Sequence, residues 1–495
     1  MKKREVLTQT TFGKTTAEEE SLNLSTYFVE TVEWRKIWSG EADVLYGPKG
    51  SGKSAIYALL LNRRDDLAKR GVIVVAAENP RGALVFQDLA TDPPANEEQF
   101  RSLWKLYFLQ LAGDAIRTLG FDDRAARSVT SPLVDAGLLP NDGTLSAKLR
   151  SARDYVRKYF RPSAVETNVE VDPITQLPKG FSGKITFREP DEGQRKLGMV
   201  SADGLLRTAN ELLEANGKKI WLALDRLDVA FAESALLEGN ALRALFRTFL
   251  DLRGLDSISL KIFLRSDIWK RISEEGFREA SHISGQTIKW NEQSLLNLVV
   301  SRALSNQSIR EFYQVEEQDV LSDEKRQEDL FYKIFPKQID SGERKPKTLY
   351  WMLKRTCDGT GLTAPRELIH LLTCARDGQL KKFDVGGPEP TEQTLIDRSA
   401  LKEALPEVSR ARIEQTLYAE FPDLRKWIAA LGDQKTAQSK ISLSKIWKCD
   451  DPEAESIATR LVEVGFFEPP KDRDNPVYQV PFLYRSWLKM SQGKA

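Results

Sequence analysis

The chain has 495 residues, with 73 lysines and arginines against 72 aspartates and glutamates. This length exceeds what one compact core usually holds and predicts two to four structural units. The near-zero net charge gives no argument for nucleic acid as a partner. The longest apolar run, Val72–Ala77, is too short to cross a bilayer, and no apolar stretch follows the basic start. We therefore expect a cytoplasmic protein with no membrane partner.

Few side chains suited to structural metal binding are present. The three cysteines and two histidines are far apart and lack ligand-like spacing, which argues against a zinc site: Cys357, Cys374, Cys449, His282 and His370. Any chemistry is then expected to depend on carboxylates, lysines, arginines and backbone amides.

A phosphate-binding loop is predicted near the start of the chain. The apolar run Ala42–Tyr46 predicts a strand, residues 55–61 predict a helix, and a G-x-x-x-x-G-K-S motif connects them: Gly47, Pro48, Lys49, Gly50, Ser51, Gly52, Lys53 and Ser54. Glycines let successive N–H groups converge on anionic phosphates at the positive end of the helix. Lys53 is expected to reach the β- and γ-phosphates and Ser54 to bind Mg²⁺. The sequence therefore predicts ATP and Mg²⁺ as cofactors, with Ala55 completing the binding segment.

The segment after the P-loop helix is predicted to be mostly helical. Apolar residues at helical spacing from Glu97 to Leu119 indicate an amphipathic core helix. Residues 122–195 are expected to interrupt the core as an insertion that carries a β-hairpin, because Val165–Val171 and Gly183–Phe187 alternate like strands. The hairpin could contact a partner or a neighbouring subunit, or be a surface decoration.

Two acidic residues follow the apolar run 219–224. Asp225 ends a predicted buried strand, where a P-loop protein needs a second metal-positioning group. Asp228 could orient or deprotonate the attacking water, although an aspartate after a strand also caps helices.

Arginines farther along the chain are candidate nucleotide sensors. The run 259–264 predicts a strand ending at Arg265, which would lie beside the γ-phosphate if that strand is next to the P-loop strand. Arg366 follows Pro365 at the predicted start of another helix. Three arginines on the predicted helix 234–253 could act on a neighbour's ATP or form surface ion pairs: Arg243, Arg247 and Arg253.

The predicted organisation has five parts. An entry segment (1–40) precedes a P-loop core (41–290), followed by a helical lid (291–385), a linker with helices (386–421) and a winged-helix-like domain (422–495). In the last domain, the helix 452–464 has an acidic balance where a major-groove reader needs positive charge. A protein-interaction role is therefore favoured over DNA reading.

This constellation resembles AAA+/STAND ATPases, and more closely a bacterial P-loop ATPase family with an origin-recognition-like core, lid and winged helix. Besides the loop, the similar features are Phe12-Gly13, Ala17-Glu18, Tyr27-Phe28, Asp225–Asp228, Phe263–Asp267 and Pro365–Leu368. The resemblance implies an α/β P-loop NTPase fold with a parallel sheet. It also implies sensor roles for Arg265 on the core and Arg366 in the lid, and a place near the base for Tyr27 and Phe28. Proteins of this kind often act in defence against phage.

One departure bears on the rate of hydrolysis. Asp225 is followed by Arg226 rather than by an acidic residue, as in the STAND arrangement, where the second acid comes three positions later. We therefore expect slow ATP turnover and a nucleotide-controlled switch that acts through a protein partner or self-assembly. A DNA-associated AAA+ loader or remodeller is the alternative, while a small-molecule kinase is disfavoured because no acceptor-binding segment is evident.

Overall fold

The structure is a computed structural model that describes residues 2–20, 24–79, 85–87, 89, 92–121, 124–139, 143–160, 184–227, 234–391, 393–472 and 474–495. The chain forms two compact units. The sheet unit consists of Val32–Pro48 and Lys53–Ile288, and the helical unit consists of Met1–Thr31, Lys49–Gly52 and Lys289–Ala495. The ends of the glycine-rich loop thus belong to the sheet unit, while its middle clusters with the helical unit.

A five-stranded parallel sheet forms the centre of the sheet unit. Its strands are β1 (Val44–Gly47), β2 (Val72–Ala76), β3 (Lys219–Leu224), β4 (Ile258–Arg265) and β5 (Gln286–Thr287), in the spatial order β2-β3-β4-β1-β5. Parallel strands covered on both faces are near-continuous apolar runs, as β1, β3 and β4 are. The strand–loop–helix motif on this parallel sheet confirms the predicted α/β P-loop core.

Helices supply the rest of the sheet unit. They are Val32–Ser39, Lys53–Asn62, Arg64–Lys69, Glu97–Thr118, Arg124–Asp135, Leu145–Tyr159, Glu192–Lys196, Ala202–Ala215, Ala235–Leu252 and Ser266–Glu274, with 3₁₀ turns at Val85–Gln87 and Arg278–His282. The helix predicted from 97 to 119 is confirmed. Its Asn96 side chain accepts a hydrogen bond from the Gln99 N–H, and Trp104 and Phe108 are fully buried.

The predicted hairpin falls mainly on residues 161–183, outside the described part of the chain. Of its second predicted strand, Ile185–Thr186 pairs in parallel with Val200–Ser201.

The helical unit contains a second set of helices: Lys3–Gln9, Ala17–Glu20, Glu292–Leu304, Gln307–Tyr313, Glu317–Leu321, Glu324–Ile334, Thr348–Thr356, Pro365–Asp384, Arg398–Arg412, Tyr418–Glu420, Arg425–Ala429, Lys440–Trp447, Asp451–Glu463 and Phe482–Arg485. A π-helical turn lies at Ile413–Leu417, and 3₁₀ turns lie at Leu24–Thr26 and Pro422–Leu424. Among the helices that the structure describes, none is both long enough and apolar enough to cross a bilayer.

A small sheet closes the C-terminal part of this unit. Strand β6 (Lys435–Ser439) lies between β7 (Val477–Gln479), to which it is antiparallel, and β8 (Ser491–Lys494), to which it is parallel. Two helices, Lys440–Trp447 and Asp451–Glu463, separate β6 from β7 along the chain.

Candidate functional site

The glycine-rich loop connects β1 to the helix that begins at Lys53, as the motif requires. Gly50 and Gly52 have φ angles of 82° and 102°, in the region that residues with a Cβ rarely adopt. A Cβ at Gly52 would meet no described atom within 4 Å. Ser54 and Ala55, both half-buried, follow in the first helical turn.

Lys53 folds back toward the beginning of the loop. Its Nζ donates hydrogen bonds to the carbonyl oxygens of Gly47 (2.8 Å) and Pro48 (3.0 Å). Only 9% of the residue is exposed. These bonds fix the ammonium group beside the end of β1.

The strand that ends at Arg265 is next to the P-loop strand, which is the condition on which its predicted role depends. Strand β4 is next to β1, and their register places Arg265 opposite Gly47. The Arg265 guanidinium donates two hydrogen bonds to the Asp267 carboxylate, from Nε (3.0 Å) and Nη2 (2.7 Å). Burial would raise the pKa of Asp267, but these bonds, the Arg265 charge and the nearby Lys53 hold it below its usual value. The sheet unit therefore brings Lys53, Arg265 and Asp267 together.

Asp225 directly follows β3 and is 3% exposed. Tyr57, one turn after Lys53 on the same helix, has a raised pKa, chiefly because it is buried and then because of the charges of Asp225 and Glu78. Asp225 and Glu78 therefore lie close enough to the P-loop helix for their charges to act on the Tyr57 phenol. The next residue, Arg226, has a φ of 59°, an uncommon backbone conformation for a side chain of this size. Asp228 lies outside the described residues.

The oxygen donors near the loop suit Mg²⁺. In the part of the chain that the structure describes, no group of three or more His, Cys, Asp or Glu side chains could hold a metal ion on its own. Mg²⁺ in nucleotide sites is usually bound by one or two protein oxygens together with phosphate oxygens and water. The Ser54 hydroxyl and the Asp225 carboxylate, both in the sheet unit, match that requirement.

Within the helical unit, the middle of the loop has several contacts. Lys49 forms an ion pair with Glu420 (2.6 Å), and the Trp290 Nε1 donates to the Ser51 carbonyl (2.9 Å). A Cβ at Gly50 would lie 3.1 Å from the Arg366 Cβ. Arg366, in the first turn of the helix Pro365–Asp384, is therefore a neighbour of the loop.

Tyr27 and Phe28 have other surroundings. Tyr27 is 8% exposed, and the Arg302 guanidinium lies 4.5 Å from the centre of its ring. Phe28 is half-buried. Their predicted place near a nucleotide base stays a prediction.

The three arginines of the helix Ala235–Leu252 and its C-cap have partners within this chain. Arg243 pairs with Glu275 (3.4 Å), Arg247 with Glu97 and with Glu279 (3.1 Å), and Arg253 donates to the His282 carbonyl (2.7 Å). For Arg243 and Arg247 these contacts favour the ion-pair interpretation over action on a neighbour's ATP, whereas the partner of Arg253 is a backbone carbonyl.

Glu78 is a buried carboxylate that the sequence prediction missed. It follows β2, the strand next to β3, and is 0% exposed. The sequence does contain a signal for Glu78. Residues 72–77 form an apolar run that ends in this carboxylate, the same pattern that identified Asp225.

No protein-family model matches the chain. The chain is similar to the "Putative transposon gamma-delta 80.3 kDa protein" of Escherichia coli (strain K12), with 23% identity over 298 residues. That alignment covers 59% of this chain and 39% of the relative, so the chain spans well under half of the relative's length. Among solved structures, the Aeropyrum pernix ORC2 protein (ADPNP–ADP complexes) aligns over 92% of both chains with 11% identity and a TM-score of 0.30.

Proposed function

We propose that this protein is a P-loop ATPase of the AAA+/STAND type that binds ATP with Mg²⁺, hydrolyses it slowly and acts as a nucleotide-controlled switch or assembly platform. The observation that carries the proposal is the G-x-x-x-x-G-K-S loop between β1 and its helix on a parallel sheet, with Arg265 opposite Gly47 and Asp225 after β3. A role in bacterial antiviral defence is part of the proposal through the family resemblance alone.

Residues 47–55 are proposed to bind the phosphates, through loop amides and the positive end of the helix. Lys53 is proposed to place its charge on the β- and γ-phosphates, and Ser54 and Asp225 to hold the magnesium ion. When bound, Mg²⁺ neutralises charge on the phosphate oxygens. Arg265 and Arg366 are proposed sensors, and Tyr27 and Phe28 are proposed to lie near the base.

The switch interpretation is favoured over a motor by the residue after Asp225. Ordinary AAA+ sites have a second acid there, whereas this chain has Arg226. A slowly hydrolysing site stays in its ATP state long enough to be recognised by a partner or by further copies of the chain. The C-terminal residues 422–495 are proposed to form a winged helix that contacts such a protein.

Substitution of the P-loop lysine tests the proposal. Lys53→Ala keeps the loop amides but removes the ammonium, so ATP affinity should fall by at least about tenfold, the typical range for a charge-assisted hydrogen bond. Titration with a fluorescent ATP analogue in the presence of Mg²⁺ measures this. Lys69→Ala is the matched control, because Lys69 is an exposed lysine of the same unit paired with Asp66. Equal affinity in the parent and Lys53→Ala proteins would contradict the P-loop assignment.

A further inference from the structure

Glu78 and Asp225 each follow the carboxyl end of a strand, and these two strands, β2 and β3, are neighbours in the sheet. Strands β2 and β3 pair with Ala76 opposite Ala223, and the Ala77 N–H donates to the Ala223 carbonyl (2.8 Å). Glu78 and Asp225 each come two residues after this last pair, beyond the ends of β2 and β3. Both residues therefore belong to the carboxyl edge of the sheet, where ligands of open α/β sheets bind.

Hydrogen bonds fix the Glu78 side chain. Its Oε1 accepts from the N–H groups of Asn79 (2.8 Å) and Val85 (3.0 Å), and its Oε2 accepts a longer bond from Val85 (3.2 Å). The Tyr57 hydroxyl donates to the Glu78 carbonyl. Because Tyr57 is one helical turn beyond Lys53, this bond ties Glu78 to the helix that begins in the phosphate loop.

Burial makes the Glu78 carboxylate a stronger base than an exposed carboxylate. Burial raises the pKa of Glu78 to about 7, although the backbone N–H bonds and the Arg226 charge act in the opposite direction. Tyr57 and Tyr107 also lie close to Glu78, and the charge of Glu78 contributes to the raised pKa of both phenols. General bases are most effective when their pKa is near the working pH, whereas an exposed aspartate near 4 is a weaker base.

We propose that Glu78 is the catalytic base of ATP hydrolysis, the role for which the sequence suggested Asp228. In this step the water oxygen bonds to the γ-phosphorus, and the bond from that phosphorus to the bridging oxygen breaks. ADP leaves with the electron pair, and Glu78 takes the water proton and later releases it to solvent. The inference rests on the proposed ATPase function and deepens it by naming the residue that activates water.

The test compares Glu78→Gln with the parent protein. The amide oxygen of glutamine still accepts hydrogen bonds from Asn79 and Val85, so the variant should fold and bind ATP with parent affinity. It cannot accept the proton, and single-turnover hydrolysis should fall by about 10²-fold or more, the usual contribution of a general base. Glu211→Gln, at an exposed carboxylate of the same unit, is the control and should keep the parent rate.

The Asp228→Asn variant shows which of the two carboxylates, Glu78 or Asp228, is the base. With Glu78 as the base, this variant should keep more than half of the parent turnover. The proposal is overturned if Glu78→Gln turns ATP over at the parent rate, if it loses ATP affinity, or if the parent binds ATP and hydrolyses none. Failure of the ATPase proposal looks different, because the parent and Lys53→Ala proteins would then have equal ATP affinity.

Discussion

At the residue scale, Glu78 couples the candidate site to pH-dependent stability. Its pKa is about 7 in the folded chain, above the usual 4.5 that it regains on unfolding. Between these values the folded state holds a proton that the unfolded state has released. The stabilisation that the protonated Glu78 contributes is therefore fully present below about pH 4.5 and is lost as the pH rises through about 7.

Removing the titrating group should remove this dependence. At about 1.4 kcal/mol per pH unit, the free energy of unfolding of Glu78→Gln should gain about 2–3 kcal/mol relative to the parent between pH 5 and pH 8. Urea unfolding of both proteins at the two pH values measures the difference, in which the titration of all other groups cancels. A constant difference across this range would show that Glu78 is ionised throughout.

At the element scale, a buried ion pair connects the segment from Phe12 to Glu20 with a helix of the helical unit. Arg302, on the helix Glu292–Leu304, donates to both Glu20 oxygens (2.8 and 2.7 Å) and to the Phe12 carbonyl (2.6 Å). Both charged residues are 5% exposed. Arg302 also packs on the Tyr27 ring, so this pair helps to position the segment proposed to lie near the base.

Breaking this pair on one side should be more harmful than removing both charges. Arg302→Met leaves Glu20 buried without its cation and should lower the free energy of unfolding by about 3–5 kcal/mol. In Glu20→Met/Arg302→Met no charge remains, so the loss should be smaller. Urea unfolding monitored by tryptophan fluorescence checks both variants. An equal loss in the single and double variants would mean that packing of the Arg302 chain, and not charge, stabilises this contact.

The same elements show what the sequence could and could not predict. The P-loop and Asp225 were predictable because a local motif and an apolar run define them. The prediction for Arg265 depended on its strand lying next to β1, and only the strand order of the folded sheet shows that it does. Glu78 also follows an apolar run, but only the strand order shows that this run is the neighbour of the strand that ends before Asp225. Likewise, the Glu20–Arg302 pair joins residues 282 positions apart, a separation that no local pattern encodes.

At the scale of the whole molecule, the net charge is close to zero, so the choice of a partner depends on the charge of individual surfaces. The helix Asp451–Glu463 has the position of a recognition helix in the proposed winged helix, but Asp451, Glu453, Glu455 and Glu463 lie along it, all exposed. Its one basic residue, Arg460, pairs with Asp423 (2.5 Å), while Glu455 pairs with Lys440 (2.6 Å). Such a helix repels phosphates and releases no counterions on approach.

We therefore predict that the 495-residue chain shows no sequence-specific duplex binding at physiological salt, because a helix that reads bases must lie in the groove between the phosphate backbones, which repel acidic side chains. Fluorescence titration with duplexes of varied sequence checks this. A Glu453→Lys/Glu463→Lys variant is the positive control: reversing two charges should produce weak, salt-sensitive binding that ignores sequence, since phosphate contacts carry no sequence information. Sub-micromolar, sequence-dependent binding by the parent would contradict the prediction and favour a DNA loader or remodeller over a switch that acts through protein partners.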